Sequence, residues 1–286
     1  MTAQVTVGVD GTPESLAAVV WAAHEATLRD VPLHLLYVAE RAETPPAHRP
    51  SPKPDSRPET LLHGAAEQAL RDHAALEVST RCVPGSAAAV LGREADDAEL
   101  TVLGSRGLRG IGGFLMGSVS LAVVGTARHP VVLVRPPTAD AGHAAQARIV
   151  AGIDLADPGD PLLGFAFTEA ARRNCPLHVL HCWSLPAVYV YAGVMDPHIG
   201  DELGHHAAQT LTELLRPWQK TYAGVHVTHE AVTGPPGARL VDAAQGASLL
   251  VVGRRGRKVP VGPHIGHVAH AAIHHSHAPV ALVPLN

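Results

Sequence analysis

Between Gly104 and Ser118 the chain concentrates six glycines (Gly104, Gly107, Gly110, Gly112, Gly113, Gly117), two arginines (Arg106, Arg109) and a closing serine. Glycine lets a backbone approach an oxyanion closely and reach positive φ, and guanidinium forks pair with phosphate oxygens. The apolar run Leu100 to Leu103 reads as a strand before this stretch, and Val119 to Arg128 as a helix after it. The first N–H groups of that helix lack intrahelical partners, so strand, glycine loop and helix N-terminus together make a phosphate-binding geometry. Ser118 is placed to cap the helix or to donate to a phosphate oxygen. A Walker loop needs a lysine that this stretch lacks, and a Rossmann fingerprint belongs in a first strand–helix turn, whereas this loop comes late. A ligand-free glycine linker is the alternative, but linkers are seldom fitted so tightly between a strand and a helix.

The elements that must position the loop can be read upstream. Gln4 to Asp10 is an apolar run ending in an acid, as in a buried parallel strand whose carboxyl end reaches a functional edge. Thr12, Pro13 and Glu14 supply an N-cap, a first-turn proline and a first-turn acid for a helix to about Arg29, with Leu16, Val19, Val20, Ala23 and Ala26 on its apolar side. Pro32 to Val38 is the next strand, and Arg41 to Pro58, with six prolines, is a loop. A helix over 59–73, a strand over 76–82 and a helix over 86–96 lead back to the glycine loop. Alternating strands and helices imply right-handed crossovers and a mostly parallel sheet, whose ligands bind beyond the carboxyl ends of the strands. Asp10 and Gly104 both lie at such ends.

Composition restricts the partners. The 286 residues are 46% hydrophobic and only 17% charged, with a formal net charge of −4, which gives no electrostatic footprint for nucleic acid or an anionic membrane. No charged start followed by an apolar run opens the chain, and no apolar stretch approaches the ~20 residues that span a bilayer, so the expected location is the cytoplasm. Cys82, Cys175 and Cys182 are odd in number without CxxC spacing and read as free thiols.

The pattern then restarts. Arg148 to Asp154 repeats Gln4 to Asp10, and Cys175 to Leu180 repeats Val31 to Leu36, both at an offset of 144 (154 − 10, 176 − 32). Val251-Val252-Gly253-Arg254-Arg255-Gly256 matches Val102 to Gly107, and Ala278-Pro279-Val280 matches His129-Pro130-Val131, both at 149 (253 − 104, 279 − 130). Constant registers on either side of one net insertion mean a duplication, with domains at 1–137 and 148–286 joined by an Ala/Pro/Gly-rich linker at 138–147.

The spacing Gly104-x2-Gly107-x9-Gly117-Ser118, set between a strand and a helix, resembles the ATP-binding motif of the universal stress protein family. Trp183-Ser184-Leu185-Pro186 with Leu215-Arg216-Pro217-Trp218 is similar to the second domain of tandem actinobacterial members. The resemblance implies an α/β fold of two tandem doubly wound parallel-sheet domains, Rossmann-like and of the adenine-nucleotide α-hydrolase type, paired about a pseudo-two-fold axis. It also implies an adenine nucleotide, with ATP and an accompanying Mg2+ as cofactor. Gly8, Val9, Asp10 and Val38 would serve the base and ribose; Gly104, Arg106, Gly107, Arg109, Gly117, Ser118 and Val119 would serve the ribose and phosphates. Asp10 also has a bland role as turn former and helix N-terminal partner.

The second half keeps Gly152, Asp154, Gly253, Gly256 and Gly266, but His267 replaces Ser118, and Lys258 to Pro263 replaces the glycine-rich segment. Two prolines remove donors and stiffen the loop, so weaker binding or a purely structural site is expected there. Of 20 histidines, His264, His267, His270, His274, His275 and His277 cluster near the end, with His267, His270 and His274 on one helical stripe. A polar helix face is the favoured reading, and no metal site is assigned. The expected function is nucleotide-dependent regulation in stress response without efficient turnover, because no catalytic base is evident near the loop. The alternatives are a slow ATPase or phosphoryl or adenylyl transferase, and a nucleotide-independent scaffold or histidine metal binder. A homodimer and an unidentified protein partner are the expected associations.

Overall fold

A computed structural model of the chain describes residues 3–40, 57–105, 117–136, 146–184, 197–255 and 265–285. The chain divides between Pro137 and Thr138 into two compact units. The first contains β1 (Val5–Gly8), α1 (Pro13–Arg29), β2 (Leu33–Ala39), α2 (Arg57–Leu70), β3 (Val78–Pro84), α3 (Ala87–Asp97), β4 (Leu100–Gly104), α4 (Ser118–Thr126) and β5 (Val131–Val134). The second contains β6 (Gln146–Ile153), α5 (Asp160–Arg172), β7 (Leu177–Trp183), α6 (Pro197–Thr221), β8 (Val227–Thr233), α7 (Pro236–Ala243), β9 (Ala247–Arg254), α8 (His267–His275) and β10 (Val280–Pro284). The proline-rich segment expected as a loop lies outside the described residues except for its end, which opens α2.

Within the first unit the strand order is β3-β2-β1-β4-β5, and within the second β8-β7-β6-β9-β10, with each of the described pairings in both parallel. The duplication survives at the level of register. Val5 faces Leu33 and Leu100, and Ile149 faces Leu177 and Leu249. Both faces of a central parallel strand are covered by helices, which is why these strands are nearly continuous apolar runs; Val5, Val7, Leu33, Leu35, Leu100, Val102, Ile149, Leu177 and Leu249 are fully buried. The chain leaves the first strand of each unit toward one neighbour and returns on its other side. That reversal, between β1 and β4 and between β6 and β9, opens a crevice at the carboxyl edge.

Helix α1 begins as its sequence demands. Thr12 is the N-cap and its hydroxyl accepts from the Ser15 N–H at 3.2 Å, with Pro13 in the first turn. The helix ends on Asp30 in the left-handed region, φ 54°. Its buried face is Ser15, Ala18, Val19, Ala22, Ala23, Glu25 and Ala26; Val20, expected on that face, is 44% exposed and Leu16 half-buried. The buried stripe runs through Ala18, Val19, Ala22, Ala23 and Ala26, and Val20, about 100° further round the helix from Val19, falls off it.

Glu25 is fully buried and paired with Arg29 at 2.6 Å, and Arg29 also reaches Glu99. The second unit repeats the device: buried Glu169 is paired with Arg172 and Arg173. Glu169 and Arg173 are Glu25 and Arg29 moved by 144, so a buried ion pair belongs to the duplicated unit itself.

Candidate functional site

In the first unit the turn after β1 is closed by its own side chains. The Asp10 carboxylate accepts from the Thr12 N–H at 2.9 Å and from the Thr12 hydroxyl at 2.6 Å, and the Ser15 hydroxyl donates to the Thr12 carbonyl at 3.0 Å. Asp10 is therefore a turn former, and it remains exposed at the carboxyl edge. The Val9 N–H donates to the Leu36 carbonyl at 2.9 Å, so its donor is spent on the sheet. Val38 pairs in register with Val83, two residues past Leu36, the last residue of β2 matched to β1. It thus projects beyond the end of β1, where a ligand edge would meet it.

Two of the predicted glycines are packing positions. A Cβ on Gly8 would lie 2.8 Å from Leu103 Cδ2 and 3.2 Å from Leu91 Cδ2. One on Gly104 would lie 2.6 to 2.8 Å from backbone atoms of Glu14 and Ser15, so the missing side chain lets α1 start directly against the end of β4. Gly117 is different: it is exposed, and among the described residues an added Cβ would have only Ser120 Oγ nearby, at 4.0 Å.

Gly117, not Ser118, is the N-cap of α4, and no side chain caps the helix. Ser118 occupies the first helical position, exposed, because the turn into α4 is made one residue earlier than the capping pattern suggests. Val119 follows half-buried. Ser120, one turn inside, ties its hydroxyl to the Gly104 carbonyl at 3.3 Å and so joins the two ends of the glycine segment. Arg106, Gly107 and Arg109 lie outside the described residues.

The corresponding edge of the second unit holds a cleft of about 290 Å3 at the reversal point between β6 and β9. Its floor is apolar, with Ile153, Leu162, Leu180, Leu240, Val252 and Ile265. Of the predicted second-half residues, Gly152, Asp154, Gly253 and Gly266 all line it, together with His267; Gly256, Lys258 and His264 lie outside the described residues. Gly152 repeats the packing role of Gly8, since its absent side chain admits Leu240 at 2.6 Å, and Leu240 is Leu91 moved by 149. Gly253 makes room for Leu285 at 2.8 Å and Leu162 at 3.2 Å. Cys182, which is Val38 moved by 144, also lines the cleft, and burial pushes its thiol up to about 11.

The mouth is charged. Arg255 donates to Asp154 Oδ2 at 2.8 Å and reaches Asp157 at 3.3 Å, while the other Asp154 oxygen accepts from the Ala156 N–H at 3.0 Å. Neither Arg255 nor Asp157 follows from the glycine motif alone. The signal for Arg255 is the repeat, which superposes it on Arg106 at 255 − 149. Asp157 has no such signal, because the repeat aligns it with Pro13, at 157 − 144, which is already helical in the first unit while α5 begins only at Asp160.

Opposite, α8 follows its N-cap Gly266, φ 77°; among the described residues no side chain caps it, and its first N–H groups, which have no intrahelical acceptor, lie along the cleft wall. An apolar floor, an uncapped helix start and a guanidinium at the rim suit a flat, apolar base carrying an anionic tail. Among the described residues no three His, Cys, Asp or Glu side chains converge as metal ligands. In the C-terminal stripe the His270 and His274 rings are in tilted contact, with centroids 4.2 Å apart and an interplanar angle of 43°, and His274 is buried.

A duplicated, doubly wound parallel α/β chain with a cleft at the carboxyl edge of its second unit defines the class. The universal stress protein family model matches residues 1–135 and again 147–284. The chain is also 32% identical to the Mycobacterium tuberculosis universal stress protein Rv2623 over 284 residues, covering 96% of this chain and 94% of that one. It is 31% identical to Rv2005c of the same species, with 96% and 95% covered. A crystal structure of a universal stress protein from Archaeoglobus fulgidus matches 99% of this chain and 98% of its own, with a TM-score of 0.66 at 16% identity, which supports the fold. The chain belongs to the universal stress protein family, as a tandem member. Among the described residues no helix is long and apolar enough to cross a membrane.

Proposed function

We propose that the chain is a nucleotide-dependent regulatory protein that binds an adenine nucleotide, ATP with Mg2+ in the first instance, at the carboxyl edge of each unit. The observation that carries this reading is the second-unit cleft, where an apolar floor meets the uncapped start of α8 and the Arg255 guanidinium. The base packs on the floor beside Cys182, and the phosphates take the helix N–H groups. Mg2+ would arrive on the phosphates and keep most of its waters, as it commonly does. The first unit binds more tightly, because Ser118 offers a small hydroxyl where His267 is bulky. Turnover is not part of the reading: Asp154 and Asp157 are both engaged by Arg255, which disfavours either as a base for an attacking water. Bound nucleotide biases one arrangement of the cleft loops, and a protein partner reads that arrangement.

The test is mass identification of small molecules released from freshly purified wild-type protein, Gly117→Glu and His267→Glu. Among the described residues a Cβ on Gly117 meets nothing closer than 4.0 Å, so its variant is expected to keep the fold while placing a carboxylate at the α4 start. Adenine nucleotide in the wild type, reduced most in Gly117→Glu, supports the proposal. Preparations free of nucleotide that take none up from millimolar ATP refute it.

A further inference from the structure

Trp183, which closes β7, has no part in the nucleotide cleft. Cys182 lines that cleft, whereas Trp183, the next residue, lines a second cavity of the same unit, about 550 Å3 in volume. Successive strand residues point to opposite faces, so the two cavities lie on opposite sides of β7. The lining of this second cavity comes from residues that the repeat does not share. Moved by 149, α2 falls on 206–219, yet α6 begins at Pro197, nine residues earlier (206 − 197). The part that repeats α2 buries Leu211, as α2 buries Leu62. In the added part none of residues 200–206 is buried; Gly200, Asp201, Gly204 and His205 instead wall the cavity. Gly204 admits the indole, since a Cβ there would lie 3.3 Å from Trp183 Cζ2. Trp183 and Arg239, also in the wall, stand where the first unit has Ala39 (183 − 144) and Val90 (239 − 149).

The wall carries two opposite charges that do not meet. Arg239 of α7 donates its Nε–H to the Thr233 carbonyl at 3.2 Å, which fixes the guanidinium beside the end of β8. Among the described residues neither Arg239 nor Asp201 has an ion-pair partner. His205, one turn on from Asp201, donates Nδ1–H to the Asp201 carbonyl at 2.7 Å, which leaves Nε2 as the second polar site of its ring. The Trp183 indole N–H is buried with no acceptor among the described residues, so the same wall holds a donor that the fold leaves unmet. Ala208, Ala231 and Val232 add an apolar patch.

We infer that this cavity binds a free α-amino acid with an apolar side chain, its carboxylate on Arg239, its ammonium on Asp201 and its side chain against Trp183 and Ala208. An unpaired guanidinium and an unpaired carboxylate in one cavity match a ligand that carries both signs, whereas an anion or a cation alone leaves one of them without a counter-charge. The volume lies within the roughly 300–1,000 Å3 of small-molecule pockets. The site is independent of the nucleotide reading.

The experiment is a nitrogen–proton correlation spectrum of the full-length protein, in which three tryptophans give three indole N–H signals and Trp183→Phe identifies one of them. L-phenylalanine is titrated in, and separately phenylpropanoate, which lacks the ammonium, and phenethylamine, which lacks the carboxylate. The variants are Arg239→Ala and Asp201→Asn, both at exposed positions, and unchanged Trp21 and Trp218 signals verify that they fold. A saturable shift of the Trp183 signal with the amino acid, weakened roughly tenfold or more for both analogues and in both variants, supports the inference. No saturable shift of that signal up to about 10 mM amino acid overturns it. So does an analogue that binds as well as the amino acid, or a folded variant that keeps wild-type affinity.

Discussion

The glycines of the loop motif are not interchangeable, and Gly104→Ala separates packing from ligand contact. The new Cβ would sit 2.6 to 2.8 Å from the backbone of Glu14 and Ser15, where no side-chain rotation relieves the contact, so the start of α1 must shift. Overpacking of this kind costs about 1–3 kcal/mol, and the lower unfolded-state entropy of alanine returns about 0.4–1 kcal/mol. The expected net loss is about 1–2 kcal/mol, or roughly 4 °C per kcal/mol for a unit of this size. Gly253→Ala meets only the movable ends of Leu285 and Leu162 and should cost less. Gly117→Ala has open space, and its gain in chain entropy is offset by alanine being a poorer N-cap, so stability should stay within about 0.5 kcal/mol. Urea unfolding of the three variants without nucleotide gives the ranking Gly104→Ala, Gly253→Ala, Gly117→Ala, from most to least destabilised. A Gly104→Ala protein as stable as wild type would falsify the packing argument and return that glycine to the ligand.

Three further outcomes are expected. Glu169→Ala leaves Arg173 without its buried counter-charge and should cost about 3–5 kcal/mol in urea unfolding; a loss below about 1 kcal/mol would show the pair is dispensable. Arg255→Ala removes an exposed pair, so unfolding should change by less than about 1 kcal/mol, while ATP affinity of the second cleft drops roughly ten- to hundredfold; unchanged affinity would take Arg255 out of the site. Cys182, with its thiol raised from 9.0 to about 11 by burial, should alkylate far more slowly at neutral pH than exposed Cys82. Because the folded value is the higher one, the stability this thiol contributes is complete below about pH 9 and is lost as pH rises toward 11. Equal alkylation rates at the two cysteines would contradict that environment.

Strands and most helices were legible because a strand buried on both faces must be a continuous apolar run, and because the chain states the unit twice. The offsets of 144 and 149 reappear as identical registers around Val5 and Ile149. What the motif did not reveal is the packing role of its glycines: at Gly8 and Gly152, read as site residues, the missing side chain also makes room for Leu91 and Leu240. On α1 the apolar side expected from the sequence includes Val20, but the buried face is centred on Ala18, Ala22 and Ala26, and hydrophobicity alone does not mark these small residues as its centre. Nothing in the glycine motif marks Glu25; its repetition as Glu169, each with an arginine four residues on, is the sequence feature that goes with the buried pair. Asp157 was invisible because the offset of 144 places it on Pro13, the first helical residue of α1, whereas α5 does not begin until Asp160.

The central claim is that this tandem universal stress protein binds adenine nucleotide at its carboxyl edges, and the direct test is calorimetric titration of ATP with Mg2+ into nucleotide-stripped wild-type protein. The account predicts saturable binding with more than one equivalent per chain, the tighter phase lost in Gly117→Glu and the weaker in His267→Glu. Absence of heat up to millimolar ATP, about −4 kcal/mol of binding free energy at most, would contradict it.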